Sequence, residues 1–196
     1  MDLALNQTWV ARFLDRLVEF KSAFWERALG EVGGLVDIVV EADDLGGQNS
    51  PLMSPRTYRD LIKPRHQRLF SFIKAQAPVK IFYHTCGAVR RLIPDLIEAG
   101  IDILNPVQIS ATSMDLVELK RGFGQDLVFW GGGVDTQGIL TTGSPQEIRD
   151  HVRANIEALD PGGGFVFAAV HDIQANVPPQ NIMAVWQAWQ EFGIYS

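Results

Sequence analysis

Val79-Lys80-Ile81-Phe82-Tyr83-His84, followed at once by Thr85-Cys86-Gly87, is a short apolar run that ends in a polar, glycine-bearing turn. Apolar residues fill most of its positions instead of alternating, the pattern of a parallel strand covered on both faces. The same unit recurs on either side. Runs at 36–41, 102–107, 127–130 and 165–170 are also short and rich in Val, Ile and Phe. Between them lie stretches of helical spacing at 55–75, 89–99, 114–121, 145–159 and 178–192. Ser54-Pro55, Ser144-Pro145 with Glu147, and Pro178-Pro179 open three of these, and Gly100 and Gly122 close two. A leading amphipathic helix is expected within 1–34, with Val10, Phe13, Leu14, Leu17, Val18, Phe24 and Leu29 at helical spacing and Gly30, Gly33 and Gly34 at its end.

Five βα units with short connections require a parallel sheet with right-handed crossovers. A doubly wound sheet and part of a TIM-type (β/α) barrel both satisfy that rule. A complete barrel needs about 250 residues. In a chain of 196 residues the barrel reading is therefore an incomplete one: a single domain over 1–196 whose 36–196 segment holds about five C-terminal βα units, roughly three N-terminal units short.

Composition narrows the function classes. The net charge of -6 and a pI near 5.2 supply no clustered cations for phosphate neutralisation, so no nucleic-acid partner is expected. No apolar run has the length of a membrane span, and residues 1–6 lack the basic and apolar blocks of a signal peptide, so no membrane association and a cytoplasmic location are the expectation. The single cysteine, Cys86, excludes an internal disulfide. It is either a small core residue or a chemical participant.

In α/β folds of either kind the chemistry lies just beyond the carboxyl ends of the strands. Those positions are polar throughout. They read Glu41, Asp43, Asp44 and Gln48; then His84 and Cys86; then Asn105 and Gln108; then Trp130, Gly131, Gly132 and Asp135; and last His171 and Gln174. Residues 84 and 86 project to the same side of an extended strand end, so an imidazole and a thiol face one point. That pair suits a soft tetrahedral ion such as zinc, with His171 the third ligand and Gln108 or Glu41 placed at a fourth position. An isolated His-x-Cys pair is ordinarily a core cysteine beside a hydrogen-bonded histidine; His171 at another strand end shifts the weight to a site. His66 and His151 fall inside helices and read as solvated or capping side chains. Asp43 and Asp44 read equally as a carboxylate pair and as the start of a turn, and the glycine run 131–133 as an anion or flat-ligand contact or a tight turn. The catalytic candidates are Glu41, Asp43, Gln108 and Asp135. The candidates for substrate or cofactor contact are Asp44, Gln48, Asn105, Trp130, Gly131, Gly132 and Gln174.

Taken together, Ala42-Asp-Asp-Leu-Gly-Gly-Gln48, Ser54-Pro55 with Tyr58 and Pro64, His84-Thr-Cys-Gly87, the segment 92–108, Trp130-Gly-Gly-Gly-Val-Asp135 and the segment 171–181 resemble the uroporphyrinogen decarboxylase superfamily in its corrinoid-dependent methyltransferase branch. The resemblance covers residues 37–192. It implies a TIM-type barrel with its site at the strand carboxyl ends. It also implies zinc held by a His-x-Cys pair and a third residue after the last strand, with a corrinoid, carried on a partner protein, as co-substrate. Here His84 and Cys86 match the pair, while His171 stands where the methylcobamide:thiol methyltransferases have cysteine. The expected activity is methyl transfer between a corrinoid or methoxy compound and a thiol acceptor. Porphyrinogen decarboxylation, as in porphyrin biosynthesis, is the second reading. The third is a non-catalytic, partner-binding fragment whose 36–41 strand edge favours pairing with another chain, a homodimer included.

Overall fold

Strands β1 (Ile38–Ala42), β2 (Lys80–His84), β3 (Ile103–Asn105), β4 (Val128–Trp130) and β5 (Phe165–Val166) form one parallel sheet in the order β1-β2-β3-β4-β5. They belong to a computed structural model that describes residues 2–194. The helices are α1 (Asp2–Leu5), α2 (Gln7–Val32), α3 (Pro55–Thr57), α4 (Lys63–Gln76), α5 (Ile93–Ala99), α6 (Leu116–Phe123), α7 (Ile139–Thr142), α8 (Pro145–Leu159) and α9 (Pro179–Phe192). Spatial order equal to chain order is decisive. A doubly wound sheet reverses its strand order at a switch point, whereas successive right-handed crossovers in one direction generate the arc of a (β/α) barrel. The chain is a partial TIM-type barrel.

Register assigns the faces. Pairing of Val40 with Phe82, Phe82 with Ile103 and Ile103 with Val128 puts these side chains in one row on one face, since alternate residues of a strand share a face. The intervening residues Val39, Glu41, Ile81, Tyr83, Leu104 and Phe129 are buried on the opposite face, beneath the helices. Tyr83 there lies edge-on to Phe70 and His66 of α4. The helix-free face is the barrel interior, open along β1, where Val40 is 57% exposed. Helix α2 buries Val10, Val18 and Leu29 but leaves Trp9, Phe13, Phe20 and Phe24 largely exposed. Among the described residues no helix is long and apolar enough to cross a membrane.

Several elements depart from the sequence expectation for identifiable reasons. The stretch expected as one helix over 55–75 contains a π turn, Tyr58–Ile62. Pro64 cannot donate a backbone hydrogen bond and its ring crowds the carbonyl four residues back; the ladder widens just before it, with Lys63 N–H bonding the Tyr58 carbonyl. The stretch 89–99 splits into a 3-10 turn, Arg90–Leu92, and α5, again with a proline, Pro94, in the first turn. Helix α6 runs through Gly122 and ends at Phe123. The expected strand over 165–170 is regular only at Phe165–Val166, rejoining the sheet through a bridge between Val134 and Ala169.

The first strand begins two residues later than expected and ends one residue later, at Ala42. Glu41, paired with Tyr83, is an outward-facing strand residue, 6% exposed. It accepts from Lys21 Nζ at 2.5 Å and from Trp25 Nε1 at 2.6 Å, both on α2. This carboxylate ties the leading helix to the sheet. Glu41→Ala is expected to destabilise the chain by about 2 kcal/mol, short of the loss for a fully buried pair because Lys21 keeps some access to water. Urea denaturation measures it, with metal content unchanged; an unchanged midpoint contradicts the assignment.

Candidate metal centre

The end of β2 carries the centre. Ala42 pairs with His84 and His84 with Asn105, so the imidazole faces the barrel interior. Asn105 Nδ2 donates to the Trp130 carbonyl at 3.0 Å. A carbonyl only accepts, so the amide's oxygen must face the other way, where it lies 2.7 Å from His84 Nδ1. His84 thus carries its proton on Nδ1 and presents an unprotonated Nε2, 3.5 Å from Cys86 Sγ. A histidine oriented through its second nitrogen by a carbonyl oxygen is the usual support of a metal ligand.

Cys86 is positioned by the interlocking of two loops. Cys86 N–H donates to Asp44 Oδ1 at 3.2 Å, Leu45 N–H to Thr85 Oγ1 at 3.0 Å, and Ala88 N–H to the Gly47 carbonyl at 2.8 Å. The backbones meet at glycine on both sides: a Cβ on Gly46 would lie 2.4 Å from the Cys86 carbonyl oxygen, and Gly87 has φ +85° with the Gly46-Gly47 backbone equally close. Gly87 N–H is held by buried Gln108 Oε1 at 2.8 Å. Gln108 in turn donates to Gln48 Oε1 at 3.0 Å, and Gln48 to the Ser110 carbonyl at 2.6 Å.

The outcome is three donors close together and a fourth beside the cysteine. Side-chain ligand atoms of Asp44, His84 and Cys86 lie within 4.8 Å of one another, and His171 Nδ1 is 3.9 Å from Cys86 Sγ. Tetrahedral zinc, with Zn–S about 2.3 Å and Zn–N about 2.05 Å, requires ligand sulfur and nitrogen about 3.6 Å apart. The 3.5 and 3.9 Å separations fit that requirement, and thiolate, imidazole and carboxylate are zinc's ligand types. Burial, followed by the nearby Asp44 charge, pushes the Cys86 thiol up to about 11. A cation at this point reverses both effects, because metal binding displaces the thiol proton.

Other expected site residues lie elsewhere. Glu41 faces α2, for the parity reason given above. Asp43 turns outward to His66 Nε2 at 3.0 Å, and His66 Nδ1 meets the Tyr58 hydroxyl at 3.0 Å. His66 is 6% exposed, so it is a buried link and not a solvated side chain. Gln108 and Gln48 brace the cysteine loop, which leaves Gln108 away from a ligand position. Asp135 closes its own turn, accepting from Gln137 N–H at 3.2 Å, and its N–H reaches His151 Nε2 at 3.3 Å; burial lowers the His151 pKa. The Gly131 and Gly133 N–H groups bond the Val166 and Ala168 carbonyls, so these two amides continue the sheet. Asn155 Nδ2 lies 3.0 Å from the Gly132 carbonyl. Gln174 is exposed and bonds the Asp172 carbonyl within its own loop. Trp130 faces the interior, edge-on to Phe82 at 5.3 Å.

The sequence model described as uroporphyrinogen decarboxylase (URO-D) matches residues 2–192. The chain belongs to the uroporphyrinogen decarboxylase family. It is 25% identical over 143 residues to a methylated-thiol–coenzyme M methyltransferase from Methanosarcina mazei, an alignment covering 73% of this chain and 35% of that relative. A solved structure, a methyltransferase from Methanosarcina mazei, superposes on it with a TM-score of 0.67 at 23% identity over 90% of this chain and 48% of its own. The chain thus spans about a third of the curated relative and about half of the structural neighbour. The latter likeness establishes the barrel architecture.

If Asn105 sets the His84 tautomer, Asn105→Leu will weaken zinc binding by roughly 10- to 100-fold while the fold persists. Competition with a chromophoric chelator reads this; undiminished affinity would show that His84 needs no such support.

Proposed function

We propose that this chain carries the zinc-binding part of a methyltransferase that moves a methyl group between a corrinoid or methoxy compound and a thiol acceptor. The observation that carries the proposal is the convergence of the Asp44, His84 and Cys86 ligand atoms at the strand carboxyl ends, with His171 Nδ1 beside the Cys86 sulfur. His84, Cys86 and His171 are the proposed permanent ligands. Asp44 is proposed to hold the position that an incoming thiol takes. A zinc ion there supplies the positive charge that lowers the thiol's pKa, more strongly beside one thiolate and two imidazoles than beside two thiolates.

The chain's own residues do the remaining work. Asn105 holds the His84 ring, and the Gln108–Gln48 pair holds the cysteine loop against Asp44. Asp44, released from its position, takes the thiol proton and passes it to solvent. A methylcorrinoid bound above this point would supply an electrophilic methyl group to the thiol sulfur and would keep the electron pair of the bond it gives up. Trp130 and Phe82 wall the interior below this point. A corrinoid protein is the proposed partner, a homodimer the proposed assembly and the cytoplasm the proposed location.

Porphyrinogen decarboxylation, the reaction for which the family is named, makes no demand on a thiol between two imidazoles. Assay of the zinc-loaded chain with methylcobalamin and small thiols separates the two. Zinc-dependent formation of the methyl thioether, reduced at least 100-fold in Cys86→Ser, is expected. Equal transfer by metal-stripped protein, or none by the zinc-loaded form, contradicts the proposal.

A further inference from the structure

A cavity of about 210 Å³ lies between α2, α4 and the loop that follows β1. Its walls are mainly apolar, contributed by Leu14, Leu17 and Val18 of α2, Leu69 of α4, and Leu45 and Met53 of the loop. Three cationic or titratable groups also border it, and each is engaged elsewhere. Lys21 bonds Glu41; Arg65 bonds Asp15 and the Ala11 and Leu61 carbonyls; His66 lies between Tyr58 and Asp43. What they leave to a guest is hydrocarbon surface and two carboxylates, Asp43 and Asp44. The volume equals that of roughly seven liquid waters at about 30 Å³ each, room for a short chain and too little for a tetrapyrrole.

Asp44 belongs to both places. It borders this cavity and is one of the three residues whose ligand atoms converge with His84 and Cys86. A molecule in the cavity therefore borders Asp44, whose carboxylate oxygen lies within 4.8 Å of the His84 and Cys86 ligand atoms. A soft thiolate–imidazole centre selects a sulfur head. The apolar walls and the two carboxylates select an uncharged tail, because an anion would lose hydration there and meet like charge.

We propose that the cavity between α2, α4 and the β1 loop is the tail subsite for a neutral short-chain alkyl thiol or its methyl thioether, with the sulfur held at Asp44. The proposal rests on the metal-centre reading above and adds the tail class and the residues that set its length. Met53, a flexible side chain on the loop, forms the adjustable wall.

The test uses the whole chain loaded with cobalt(II), in which an added thiolate ligand is read from its charge-transfer absorption. Straight-chain thiols from ethanethiol to hexanethiol are titrated, with 3-mercaptopropionate as the anionic probe. Affinity is expected to rise about fourfold per methylene and then level off once the cavity is full, with 3-mercaptopropionate at least tenfold weaker than butanethiol. Met53→Trp is expected to end the rise one or two methylenes earlier and Met53→Ala to extend it, cobalt content being equal in all three proteins. Thiols that ligate the cobalt with no dependence on chain length, or a series unmoved by both variants, overturn the subsite and leave the metal centre standing. A chain that takes up no cobalt or zinc overturns the metal centre and the subsite together.

Discussion

Register across the first three strands decides what the molecule can hold. With Ala42, His84 and Asn105 in step, the histidine and its supporting amide share the interior face, and the alternation of side chains sends Tyr83 and Leu104 into the helix layer. A slip of one residue in β2 would bury the imidazole under α4 and turn Tyr83 into the barrel. The apolar residues of the helix-facing side resist that slip, since Ile81, Tyr83, Leu104 and Phe129 are all essentially inaccessible. Core packing and ligand geometry are in this sense one constraint: the residues that fix the sheet against its helices also aim His84 Nε2 at Cys86.

Much of this architecture was legible in the sequence because parallel strands and amphipathic helices carry distinct apolar periods. The five βα units, the polar strand ends and the closeness of His84 and His171 to Cys86 follow from reading apolar runs and the residues after them. Glu41 shows where such reading stops. Its face follows from its pairing with Tyr83, which puts both side chains in the helix layer. A run that is apolar at nearly every position does not mark which alternate residues face the helices. Asp44 likewise could be placed near substrate but not among the ligand atoms, because its position comes from the tight crossing of Gly46-Gly47 with Cys86-Gly87. That is a contact between loops distant in sequence. The burial of His66 was hidden for a similar reason: its partners, Tyr58 and Asp43, come from the π turn before α4 and from the loop after β1.

The half-barrel form has its own energetic signature. Five strands leave β1 and β5 as the edges of the sheet where a closed (β/α) barrel has eight and no edge. Val40 on β1 is exposed, and α2 leaves Trp9, Phe13, Phe20 and Phe24 uncovered. The candidate metal site is less affected by the opening, because its side chains and their supports come from β2, β3, the loops after β1, β2 and β3, and the segment ending at His171, all within the described arc.

The most direct test of the account is the metal content of the untagged chain by elemental analysis, compared with His84→Ala, Cys86→Ser and His171→Ala. About one zinc per chain in the unaltered protein, lost or sharply reduced in each variant, is the predicted result. A protein that holds no zinc, or one that keeps it after loss of Cys86, would contradict the claim that these strand ends form a metal centre.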